Sequence, residues 1–272
     1  MSRRSKEFNE YLIDSNSQHN FSHNDYMQHP AIAFLKYTVE AKDAVNFCIN
    51  KFPKNNDNEY SKDSLDSLQH IVVAMLPTLM GHFETYQRYL FALMFDYSIY
   101  LKDFDVENFF KKINKSANLS IDLIRLSSYR GSNSTSIGLL LSDSLPGWHN
   151  PSKVNSYFSA FDLNFQLFNA NAEKQLRILW QLRHSIVHTG GTITVPDAQK
   201  VPELKLYGKK QVVFEKNFIF EVARKIHPLI KDSTTGIGEK FIEKLIDDIT
   251  DEQKEQIEEI FKVRSSVAVW LR

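Results

Sequence analysis

Apolar residues from Pro30 onward recur every three or four positions. Ala33, Tyr37, Ala41, Ala44, Val45 and Cys48 would share one face of a helix that stops near the polar stretch PKNNDN at 53–58. Ser61 or Ser64 is placed to cap a second, longer helix reaching about Leu101, with a bend expected where Pro77 removes a backbone donor. Within it the run HFETYQRYLFALMF surrounds Glu84 with aromatic and aliphatic neighbours. Shorter helices are expected over 105–114 and 118–128, with RGSNSTS at 130–136 and LPGWHNPS at 145–152 as turn-rich connectors. The aromatics of YFSAFDLNFQLF at 157–168 read as the core face of a packed helix. AEKQLRILWQLRHSIVH follows, closed by Gly190 and Gly191 where a left-handed cap is expected.

The period then changes. TITV at 192–195, and LKLY and QVVF around Gly208, Lys209 and Lys210, have the composition of short strands in a small hairpin. Helical spacing returns at about 216–230 and 236–248, and DEQKEQIEEIFKVRSSVAVWL predicts a last helix. The expected fold is therefore all-α, a helical bundle with a small β-hairpin inserted after the glycines. Its parts are a polar arm (1–29), an accessory helix (30–60), the main helical domain (61–248) and a C-terminal helix (249–272).

Composition narrows the function classes. With 42% hydrophobic and 24% charged residues the chain can bury a sizeable core. Lys plus Arg equals Asp plus Glu at 33 each, so no global basic field draws in a polyanion, and a nucleic acid would need a local patch. The lone cysteine, Cys48, excludes an intrachain disulfide framework and a thiolate zinc cluster, and reads as a small buried apolar residue. MSRRSKEFNEYLIDSNSQHN has no apolar run behind its basic residues, and the greasiest stretch, IVVAMLPTLM at 71–80, is half the roughly 20 residues a bilayer span needs. A cytoplasmic protein without membrane contact is expected.

The chemistry concentrates in QLRHSIVHTGG at 181–191. On a wheel advancing about 100° per residue from Leu176, the residues Leu179, Trp180, Ile186 and Val187 define an apolar face with Arg183 near its centre. An unpaired guanidinium buried there would cost several kcal/mol, so Arg183 must meet a carboxylate, carbonyls or an anion; an ion pair with Glu84 is one solution. His184 and His188 lie one turn apart at the edge of that face, near a helix C-terminus that favours cations.

Arg183, His184, Ser185, Ile186, Val187 and His188 together resemble the signature of the HEPN superfamily (higher eukaryotes and prokaryotes nucleotide-binding). That signature is an Arg, four to six residues, then a His, often with a polar residue after the Arg. His184 fills the polar slot, the motif closes a helix, Glu84 is embedded in a long upstream helix, and glycines follow. Arg177 with His184 also fits the spacing, but Arg183 alone has the central apolar placement. The resemblance covers about residues 61–248. It implies a helical bundle that pairs about a two-fold axis and a metal-independent endoribonuclease in prokaryotic defence or stress, with no cofactor. The partners it implies are RNA, a second copy through the motif helix, and an antitoxin or regulatory protein.

On that reading His188 handles the proton of the ribose 2′-hydroxyl, Arg183 holds the phosphate, His184 orients either group and Glu84 supports them. Lys209 and Lys210, at the tip of the expected hairpin, would grip RNA, and residues 196–231 carry eight Lys or Arg against four Asp or Glu. Residues 232–261 reverse this with ten acids and three bases. Solvated helix faces would also explain both blocks. Two rivals stand beside the nuclease. HSIVH has the spacing of two zinc ligands on a helix, although Ser185 stands where a metalloprotease has its Glu. A HEPN-like domain without catalysis, binding a nucleotide or a partner, would use the same arginine.

Overall fold

The computed structural model describes residues 7, 9, 23–128, 136–215 and 217–263. Their helices are α1 (His23–Gln28), α2 (Pro30–Lys51), α3 (Lys62–Asp96), α4 (Val106–Ser116), α5 (Leu123–Ser128), α6 (Ile137–Ser144), α7 (Pro151–Ser159), α8 (Ala170–His188), α9 (Val195–Lys200), α10 (Phe218–Ile242) and α11 (Asp251–Ile260). Among the described residues there is no β-strand, only isolated bridges, and no helix is long and apolar enough to cross a membrane. The all-α expectation holds.

The central element is α3. Ser61 caps it, its hydroxyl accepting the Ser64 N–H at 3.2 Å, and the helix runs through Pro77 to Asp96. Leu68, Val72, Leu76, Leu79, Phe83, Tyr86 and Leu90 recur on its buried side. Around them packs an aromatic core: Phe34 of α2 lies 5.6 Å from Phe83, and Phe91 meets Phe158 and Phe161 edge to face at 5.8 and 5.4 Å. One cluster of buried residues extends from Tyr26 to Phe261, so α1, α2 and α11 share the core of the main domain rather than decorating it. The end of the expected polar arm is thus a packed helix with a buried Tyr26, whereas residues 1–6, 8 and 10–22 lie outside the described residues. Residues 264–272 of the expected C-terminal helix also lie outside them.

Close approach fixes the α3–α6 pair. Gly138 sits against the Ala92 backbone, where any Cβ would overlap the carbonyl, and Asp96 accepts the Gly138 N–H at 2.7 Å. Asp96 also accepts the Ser136 hydroxyl at 2.5 Å, and Ser136 in turn caps α6. Residues 130–135 of the expected connector lie outside the described residues.

Three segments differ from the sequence expectation. The aromatic stretch 157–168 is helical only to Ser159, because α7 starts at Pro151 under an Asn150 cap. Asp162 and Asn164 then take left-handed φ values of 56° and 52°, and Asn155 clamps the returning chain at Phe168 through two 2.8 Å hydrogen bonds. The two helices expected over 216–248 are one, α10, which continues through Pro228 to Ile242. Its polar mid-section finds partners elsewhere: the Ser233 hydroxyl donates to Leu167 O at 2.7 Å, and Thr234 pairs with the Tyr86 hydroxyl at 2.8 Å. Third, LKLY is not a strand but part of a 3-10 helix over Pro202–Tyr207, so the LKLY–QVVF hairpin does not form.

Candidate functional site at the C-terminal end of α8

Asn169 starts α8 by accepting the Ala172 N–H at 2.9 Å. The expected glycine cap ends it. Gly190 and Gly191 take φ values of 60° and 85°, and the Ser185 carbonyl accepts both the Gly191 N–H at 2.8 Å and the Thr189 N–H at 3.1 Å. The chain then turns back along a short pairing, with Ile193 N–H on Lys210 O and Lys209 N–H on Ile193 O, both at 2.8 Å. This ties the backbone of Lys209 and Lys210 to the segment just after the motif helix. Both lysines are exposed, and Lys209 takes a left-handed φ of 67°.

The helix is turned relative to its sequence wheel. Its deeply buried residues are Leu176, Trp180, Gln181 and Ser185, a face roughly a quarter-turn from the predicted one. Packing on α3 and α7 therefore takes two polar residues inside, and Gln181 Nε2 and Ser185 Oγ are buried without a hydrogen-bond partner among the described residues. The opposite side carries Ile178, Leu179 and Leu182, which line a groove of about 860 Å³ shared with Val222, Ile226 and Leu229 of α10.

Arg183 falls between these faces. It is half-buried, and among the described residues its enclosed Nε has no partner and it makes no ion pair. The Glu84 pairing is not found: Glu84 lies 3.7 Å from Arg88 on its own helix, and Arg88 also bonds Asp143 of α6.

His184 and His188 do come together, their ring centroids 4.7 Å apart. His184 faces a residue that the sequence reading missed, Asp197 of α9, with Nε2 at 3.9 Å from Oδ1. The Asp197 side chain is nearly enclosed. Its carboxylate accepts Lys200 Nζ at 2.7 Å and the Thr194 hydroxyl at 2.7 Å. Those two donors, the ammonium first, hold the Asp197 carboxyl below its ordinary range, so it is ionised beside the histidine. α9 itself exists because Thr194 caps it, accepting the Asp197 N–H at 3.2 Å, with Pro196 in its first turn. The signal was Thr194-x-x-Asp197, a helix start hidden behind the β-branched TITV.

Among the described residues no group of three or more His, Cys, Asp or Glu is placed to hold a metal ion, which leaves the HSIVH spacing without further protein ligands. Compared with models of protein families, with curated proteins and with solved structures, the chain has no match.

Proposed function

We propose that this chain is a metal-independent endoribonuclease of HEPN type that works as a homodimer through α8. The observation that carries the reading is that one helix end bears both two imidazoles 4.7 Å apart and an arginine whose enclosed Nε has no partner among the described residues. A free guanidinium at the edge of a fold is stabilised by an anion, and a phosphodiester matches its planar donors. The nucleophile is the substrate's own 2′-hydroxyl. Its oxygen attacks phosphorus as His188 takes the proton, the bond from phosphorus to the 5′ oxygen breaks, and His188 returns that proton to the leaving oxygen while His184 orients the groups. Arg183 stabilises the added charge on the phosphoryl oxygens. The products are a 2′,3′-cyclic phosphate and a 5′-hydroxyl. The exposed Lys209 and Lys210, tethered beside the motif helix, extend the grip along the backbone of the RNA.

Dimerisation is supported by α8 itself. Arg183 and His188 point about 140° apart on one helix, so two copies facing each other would join the arginine of one to the histidines of its partner. The apolar groove beside α8 is surface such a contact could cover. The same groove favours a second reading, a HEPN-like interaction domain that binds RNA or a regulatory protein without cleaving.

Incubation with RNA in EDTA, followed by end-group analysis, separates the two. Cleavage to cyclic phosphate and 5′-hydroxyl ends, inert toward a deoxyribose at the scissile position and abolished in Arg183→Ala and His188→Ala with helical circular dichroism unchanged, supports the nuclease. Binding without cleavage selects the interaction domain. Cleavage that needs added metal overturns the proposed chemistry.

A further inference from the structure

Asp197 has no place in the resemblance that pointed to Arg183 and His188, yet it is the carboxylate facing the histidine pair. It comes from a separate element and is held in three ways. Thr194 Oγ1 donates to Oδ2, Lys200 Nζ donates to Oδ1, and Gly208 packs against Val195 and Ala198 of α9, with Val195 Cγ2 3.3 Å from where a Cβ on the glycine would stand. That leaves Oδ1 3.9 Å from His184 Nε2, an ion-pair distance longer than a hydrogen bond. The His188 ring lies against the same His184 ring, the two centroids 4.7 Å apart.

We propose that Asp197 is a positioning residue for the histidine pair, acting through the Nε2 edge of His184. The carboxylate selects the tautomer with the proton on Nε2 and fixes the ring plane, which leaves Nδ1 and the neighbouring His188 ring in a defined relation to substrate. Lys200 shares Oδ1 and so competes with His184 for it. The contact is a property of the chain whatever its substrate; only the kinetic part below rests on the RNA-cleavage reading.

The test combines ring-nitrogen NMR of His184 with kinetics on RNA, in full-length Asp197→Asn and Lys200→Gln. Asp197→Asn should change the tautomer balance of His184 and lower kcat about ten- to a hundredfold, the range for a lost orienting partner, with KM unchanged. Lys200→Gln keeps the carboxylate and frees Oδ1, and should move the His184 Nε2 proton downfield. If Asp197→Asn does not fold, the Lys200→Gln shift decides alone. His184 signals unaltered in every folded variant overturn the proposal, as does an Asp197→Asn effect confined to KM. A His184 shift in protein that never cleaves RNA sinks the nuclease reading and leaves the Asp197 contact standing.

Discussion

Helices α3 and α8 are packed against each other, and both were legible as amphipathic helices, but they meet the interior differently. Along α3 the apolar face of the sequence is the buried face, and most of its buried polar atoms are bonded: Tyr86 bonds Thr234, and the Gln87 amide donates to Phe83 O at 3.2 Å, while Gln69 Oε1 is enclosed without a partner among the described residues. Along α8 the buried face contains Gln181 and Ser185 with unpartnered polar atoms, while Ile178, Leu179 and Leu182 line an open groove. The first helix spends its side chains on stability. The second holds apolar surface and an unpaired guanidinium in reserve, at some cost to the isolated chain. Local conflicts of this kind concentrate where a fold does something besides fold.

The comparison breaks if the two helices respond alike to truncation. Phe83→Ala removes a fully buried ring that touches Phe34, Phe168 and Trp180, and should cost about 3–5 kcal/mol, a fall in Tm on the order of 10 °C by thermal unfolding. Leu182→Glu on the groove should leave the monomer's circular dichroism and Tm nearly unchanged. Sedimentation should instead show a self-association constant at least about tenfold weaker, about 1.4 kcal/mol. A large loss of Tm in Leu182→Glu with association unaltered would make the groove ordinary core.

The same contrast explains what the sequence could reveal. Ser61, the run from Leu68 to Leu90 and the Gly190–Gly191 stop were readable because local rules and tertiary packing agree there. The rotation of α8 was not readable, since a wheel records where apolar residues lie and not which side the neighbouring helices cover. Nor was the continuity of α10: Ser233 and Thr234 find partners 66 and 148 residues away, where local propensity reads a break. Arg183, His184 and His188 stood out because charge interrupted an apolar pattern. Asp197 did not, because its meaning depends on a fold-back from α8 that no spacing encodes.

A smaller effect tests α3 by acid. His82 is stacked on Tyr37 at 3.6 Å and shares a 2.8 Å hydrogen bond with Tyr26, and burial lowers its pKa from the ordinary 6.5. The unfolded chain therefore takes up this proton first as pH falls. The stability contributed by neutral His82 is present above about 6.5 and is lost as pH drops through that value toward the folded-state one. Tm should fall between pH 8 and pH 5, and His82→Asn should flatten that slope. An unchanged slope would show that other groups, His227 with its similarly lowered pKa among them, carry the dependence.

The smallest expected effect is the sharpest on the comparison, because it sets two buried serines side by side. Ser233 on α10 is 3% exposed and donates to Leu167 O, so Ser233→Ala strands a buried carbonyl and should cost about 1–2 kcal/mol. Ser185 on α8 is 0% exposed, and its hydroxyl has no partner among the described residues. Ser185→Ala removes a desolvated polar atom without breaking a bond, and should leave chemical unfolding midpoints unchanged or raise stability by up to about 1 kcal/mol. Equal losses from both substitutions would mean that Ser185 finds a donor or acceptor in solution, and the claim that α8 buries an unsatisfied face would fall. A Ser185→Ala protein that is as stable as wild type but slower on RNA would place the hydroxyl in the service of the histidine pair, since it lies between His184 and His188 in the chain and has nothing else to hold.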